Sequence, residues 1–161
     1  MLVGEVSPLI TYQVLLEAIQ LEKNELISNY LSGRIQNIFW TFLTEEQQNR
    51  IQNITEESIL KLLEKELPTN IKKTLFGLYK SIAFSEKGKN NLYEIWSEKK
   101  MIKNLFLNEN DFTSLAMRLA VFKHSKATEV LEKQQSQISN LDRLERYKWL
   151  LPSLSNDSLV R

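Results

Sequence analysis

Apolar residues along this chain recur three and four positions apart rather than in alternation, a spacing that predicts helices almost throughout. The strongest stripe is Ile27, Tyr30, Leu31, Ile35, Ile38, Phe39 and Phe42, about four turns of a helix opening near Asn24, with Gly33 on its polar side. Ahead of it, Ser7 and Pro8 make an N-cap and first helical position for a helix to about Gln20, with Leu9, Tyr12, Leu16 and Ile19 on one side. Thr44 followed by Gln47 has the form of a capping box and starts a third helix that runs, with a break near Asn53, to Leu67, where Pro68 ends it. A further helix from Thr69 turns Ile71, Leu75, Leu78, Tyr79 and Ile82 toward a core, and Ser85 caps the segment holding Leu92, Ile95 and Trp96. Asn108 with Asp111, Ser125 with Thr128, and Asn140 with Arg143 mark three later helix starts. In this last third Phe112, Leu115, Leu119 and Phe122 define one face, expected to share a core with Trp96 and Leu131.

Only four Gly and three Pro interrupt the pattern, so the fold class is all-α. Antiparallel helix pairs joined by tight turns are the unit of HEAT-like and armadillo-like solenoids, in which each pair buries its apolar face against its neighbours. Four such pairs are expected, stacked as an irregular αα superhelix, because no fixed sequence period is visible. Residues 1–161 read as a single helical-repeat domain. At the end of the chain Ser155 looks like an N-cap and Asp157, Ser158, Leu159 and Val160 like a first turn. A helix cut there would have incurred its nucleation cost without the bonds that repay it, so the natural polypeptide is expected to continue past Arg161.

Composition narrows the function classes. With 21 basic and 20 acidic residues the formal charge is +1, which argues against generalised attraction to nucleic acid or anionic membrane. The most apolar run, Ile38 to Leu43, is far short of the roughly 20 residues that cross a bilayer. Cysteine is absent, so there is neither a disulfide framework nor a thiolate metal site.

Candidate chemistry is sparse. His124 is the one histidine, and a zinc site without cysteine needs several imidazoles or an equivalent carboxylate set; at a helix-to-helix turn it reads as a solvated or dipole-compensating residue. The pairs Glu45–Glu46, Glu56–Glu57 and Glu64–Glu66 do not face one another on a helix and suit first-turn and solvent-facing positions. Lys87, Lys89, Lys99, Lys100 and Lys103 surround Tyr93 and Trp96, the composition of a nucleic-acid stacking surface, though lysines at a helix end commonly solvate it. No phosphate-cradling glycine loop and no Gly-x-Ser-x-Gly elbow is present, so no catalytic, cofactor-binding or metal-binding residue is assigned.

Several weak signatures nevertheless stand in a telling order: Tyr93-x-Ile95-Trp96, Asp111-x-Thr113-x-Leu115-Ala116, Leu131-Glu132-x-Gln134, Asn140-x-Asp142-Arg143, and Pro152-x-Leu154-Ser155-x-Asp157. In that order they resemble the C-terminal helical domain of the zinc aminopeptidases related to aminopeptidase N. The resemblance is densest from Leu92 to Arg161 and thins to helical pattern before it. One position departs: members commonly carry Pro after the Asn of Asn-x-Asp-Arg, and Leu141 stands there. The family places its His-Glu-x-x-His and Gly-x-Met-Glu-Asn motifs in a preceding catalytic domain, and this chain contains neither.

The resemblance implies a non-catalytic domain that covers and gates the chamber in which a zinc-activated water removes N-terminal residues from peptides. Its partners would be the catalytic domain of the same polypeptide and the enclosed peptide substrates; zinc would belong to that other domain. Asn140, Asp142 and Arg143 would be a structural cap and inter-helix staple. The rival reading is a free-standing helical-repeat adaptor that binds a protein or peptide on a concave face.

Overall fold

The computed structural model describes residues 6–154. Among them are eight α-helices and no strand: α1 (Pro8–Leu21), α2 (Glu25–Asn37), α3 (Glu45–Glu64), α4 (Thr69–Ile82), α5 (Glu86–Trp96), α6 (Glu109–Val121), α7 (Ala127–Gln137) and α8 (Leu141–Leu150). A π-helical turn, Ile38–Phe42, extends α2, and a 3-10 turn, Leu151–Leu154, follows α8. The helix start expected at Ser155 lies outside the described residues. The chain divides into two compact units, one of residues 1–88 with 102–105 and one of residues 89–101 with 106–161.

In the first unit α1 packs on α2 and α3 on α4, while α1 also meets α3 and α2 meets α4. The periodicity of α4 is realised in full: Ile71, Leu75, Leu78, Tyr79 and Ile82 are all buried. Thr44 and Gln47 form the expected reciprocal capping box at the start of α3, which then runs without a break at Asn53 and stops at Glu64. The long stripe on α2 is only partly right. Past Asn37 the backbone widens, with the Leu43 N–H reaching the Ile38 carbonyl at 3.1 Å, five residues back. That wide turn keeps Phe39 fully buried against Tyr12 and Phe84 but swings Phe42 outward, and Ile27 and Tyr30 are also exposed.

Glu56 corrects the reading of the carboxylate pairs as solvent-facing. It is buried, its Oε1 accepts the Ser85 N–H at 2.9 Å, and its Oε2 accepts the Ser85 hydroxyl. The Ser85 Oγ in turn accepts the Gly88 N–H at 2.9 Å, so a buried carboxylate orients the residue that caps α5. Gly88 is required by this packing rather than by its own conformation. A Cβ there would lie 2.5 Å from the Glu56 Oε2 and 3.0 Å from the backbone carbon of Ala83. Helix propensity alone favours alanine by about 1 kcal/mol, yet Gly88→Ala should destabilise the protein by about 1–3 kcal/mol, as overpacking does. A rise in the urea midpoint would show that the site has room.

Burial pushes the Glu56 carboxyl above its ordinary range, against the Ser85 hydrogen bonds and the nearby Lys87 cation that pull it down. The folded state therefore binds a proton more readily than the unfolded chain. Stability from this group is present below the unfolded value and is lost as pH rises through the folded one. Glu56→Gln should abolish that component, so the unfolding free energy of the variant relative to the parent should rise between about pH 4 and about pH 7. An unaltered pH profile would show that Glu56 titrates as an ordinary surface carboxylate.

In the second unit α6 and α7 form a hairpin, α8 packs on α7, and the 3-10 turn returns to α6. Leu115 and Leu119 are fully buried, whereas Phe112, Phe122 and Leu131 are half-buried, so the expected face is narrower than its sequence spacing. Helix α7 does not start at Ser125: Lys126 precedes its first residue and no side chain caps it.

Candidate functional site

The signature residues of the second unit are linked to one another. Asn108 opens α6 with a complete capping box: its Oδ1 accepts the Asn110 and Asp111 N–H groups, and Asp111 Oδ2 accepts the Asn108 N–H at 2.9 Å. One turn on, the Thr113 hydroxyl donates to the Glu109 carbonyl at 2.8 Å and accepts from Gln134 Nε2 at 3.2 Å. Gln134, only 1% exposed, uses its Oε1 to accept the Trp96 indole N–H at 2.8 Å. Trp96 of α5, Gln134 of α7 and Thr113 of α6 thus make one hydrogen-bonded chain that satisfies a buried amide and indole together.

Glu109 ties in the start of α8. Its carboxylate accepts the Ser139 N–H at 3.1 Å and hydroxyl at 2.7 Å, and the Arg143 guanidinium at 3.3 Å. The Ser139 hydrogen bonds, with Arg143 adding to them, hold the Glu109 carboxyl below its usual range, so it stays an anion and is unsuited to donate a proton. Asn140 caps α8 by accepting the Arg143 N–H at 3.0 Å, with Leu141 rather than a proline at the first position. The Asn-x-Asp-Arg segment is therefore a cap and a staple. Asp142 and Arg146, four apart and able in principle to pair, form no ion pair among the described residues.

Of the two roles expected of His124, solvent exposure is the one the structure contradicts: the residue is 7% exposed, just past the end of α6. The cause is the way α6 ends. Lys123 takes a left-handed φ of 55°, the Lys123 N–H returns to the Ala120 carbonyl, and the His124 N–H returns to the Leu119 carbonyl at 2.9 Å. This Schellman ending folds the next side chain back onto the helix. The imidazole stacks on Tyr93 with ring centres 5.0 Å apart, its Nδ1 accepts the Lys126 N–H, and its Nε2 meets Asn90 Oδ1 at 3.2 Å. Nδ1 thus braces the α6–α7 turn internally, while Nε2 and the ring face join that turn to α5.

Three lysines of the lysine-rich stretch are engaged by side chains of the chain itself. Lys87 pairs with Glu57 at 3.2 Å, Lys103 pairs with Glu66, and Lys100 donates to Asn91 at 3.0 Å. Trp96 is 6% exposed and Tyr93 is covered by His124 and by the Lys126 cation 5.0 Å over its ring. A cleft of about 290 Å³ beside Trp96 is bordered by Phe112, Glu98, Glu109, Lys133 and Gln134. The Lys133 ammonium stands 5.5 Å over the Trp96 ring, so the cleft's aromatic wall is already engaged by a cation of the chain itself.

Among the described residues no group of three or more His, Cys, Asp or Glu side chains is placed to hold a metal ion, and no helix is long and apolar enough to cross a membrane. No family model matches the chain, and no curated protein or solved structure matches it either.

Proposed function

We propose that this chain is a non-catalytic helical domain of a zinc-dependent aminopeptidase related to aminopeptidase N, stacked as an irregular HEAT-like solenoid and covering the active-site chamber of the catalytic domain in the same polypeptide. The observation that carries the reading is where the signature residues fall. Trp96, Thr113, Gln134, Asn140 and Arg143 were singled out by their order in the sequence, and they lie in the caps and hydrogen bonds that tie α5, α6, α7 and α8 together. Residues that define an architecture are the ones expected to persist in a domain whose role is to shape a cavity rather than to react. The packing of the first unit also supports it: α1 meets α3 and α2 meets α4, the neighbour relation of two stacked helix pairs.

A solenoid suits gating because small rotations between stacked pairs open or close a concave surface, and enclosure by it would select peptides by length. The natural polypeptide that carries this segment should hydrolyse amino-acid anilides, lose that activity to a zinc chelator, and cut long peptides relatively faster when this domain is removed. Chelator-insensitive behaviour, or no aminopeptidase activity at all in that polypeptide, would favour the free-standing adaptor instead.

A further inference from the structure

Helices α6 and α8 of the second unit border a groove of about 490 Å³. Each contributes residues at helical spacing: Asn110, Ser114 and Met117 from α6, and Arg143, Arg146, Tyr147 and Leu150 from α8. The two helices start at the same end of the groove, because Glu109 in the first turn of α6 binds Ser139 and Arg143 at the start of α8. The polar donors Asn110, Ser114, Arg143 and Arg146 therefore lie toward the helix N-termini. Met117 and Leu150, both half-buried, lie toward the other end beside the wall made by Tyr147.

The charge of the groove is one-sided. Its lining has two arginines and no carboxylate. Arg143 uses one Nη on Glu109, but Arg146 makes no ion pair among the described residues, and the Ser114 hydroxyl and Asn110 side chain have no hydrogen-bond partner there. An arginine fork matches two oxygens of an oxyanion. The apolar end has no use for a bare ion. Tyr147 cannot serve as a further donor to a ligand, since its hydroxyl already donates to the Leu131 carbonyl at 2.9 Å.

We infer that the α6–α8 groove binds a carboxylate carried on a short apolar group, with the carboxylate on Arg146, assisted by Arg143 and Ser114, and the apolar group between Met117, Tyr147 and Leu150. The inference stands apart from the aminopeptidase reading, because every residue in it belongs to this chain and the ligand is tested on this chain alone.

The test is an NMR titration of the 161-residue protein with N-acetyl-leucine, with N-acetyl-leucinamide, and with inorganic phosphate at constant ionic strength. N-acetyl-leucine should bind saturably, moving amides of residues 110–117 and 143–150. The uncharged amide and inorganic phosphate should each bind at least about tenfold more weakly, the amide for want of a charge-assisted hydrogen bond and phosphate for want of the apolar group. Arg146→Gln, at an exposed position that leaves the fold intact, should weaken N-acetyl-leucine by about tenfold or more. Equal binding of the amide, equal binding of phosphate, an unaffected Arg146→Gln variant, or no saturable shift in these two helices would each overturn the inference.

Discussion

Lys72→Met should lower the unfolding free energy by about 2–4 kcal/mol, although methionine fills nearly the same volume and restores hydrophobicity to a buried site. Lys72 is fully buried in α4, and its ammonium donates to the Leu63 carbonyl at 2.8 Å and the Lys103 carbonyl at 2.6 Å. The first acceptor lies in the last turn of α3, where carbonyls have no intrahelical partner. The second lies in the 102–105 segment, which belongs to the first unit. Methionine avoids the cost of desolvating an ammonium, which limits the loss, but it leaves the buried Leu63 carbonyl without this donor and removes the tie to the part-buried Lys103 carbonyl. Lys103 and Asn104, which hold Glu66 from the same segment, should loosen with it. Urea unfolding with amide exchange at residues 102–105 measures both effects. A midpoint at or above that of the parent would mean that the ammonium costs more than its two bonds return.

Leu119→Ala should cost about 2–5 kcal/mol, the range for removing a buried leucine side chain. Leu119 is fully buried on the face of α6 that also carries Leu115 and Ala116, and fully buried Val130 belongs to the same unit's core on α7. Its backbone carbonyl also receives the His124 N–H, a bond that the substitution leaves in place, so the loss reports side-chain packing alone. Val121→Ala on the same helix is the control: at 52% exposure it should change stability by less than about 0.5 kcal/mol. Equal midpoints for the two variants would place Leu119 outside the core.

How much of this could be read from the chain depended on whether the cause was local. The caps at Thr44, Asn108 and Asn140 rest on side chains within three residues of the groups they satisfy, and each is found as expected. The inward face of α4 follows from its spacing. The ends of α5 and α6 were harder, because both finish in Schellman turns with Glu98 and Lys123 in the left-handed region and no glycine to announce them. The wide turn after Asn37 has no sequence signal at all, and it decides that Phe39 is buried while Phe42 is not.

Buried polar residues were the least legible class. Periodicity assigns Glu56, Lys72 and His124 to solvent, since only an apolar residue declares itself inward. Their partners lie 29, 31 and 34 residues away, at Ser85, Lys103 and Asn90. The same holds for the link from Trp96 through Gln134 to Thr113: each residue appears in a separate signature, and nothing in the chain says that the three are joined. The arginine groove was likewise hidden: Arg143 reads as an inter-helix staple, a role it fills on Glu109 of α6, whereas Arg146 reads as a partner for Asp142 four residues before it, a pair absent among the described residues.

The central claim, that this helical domain belongs to a zinc aminopeptidase, is tested most directly by the mass and peptide map of the native polypeptide isolated with an antibody against the α6–α8 region. The account predicts one polypeptide much heavier than 18.9 kDa whose map contains a His-Glu-x-x-His peptide upstream of α1. A native protein of about this chain's own mass, or a longer one without that motif, would contradict it.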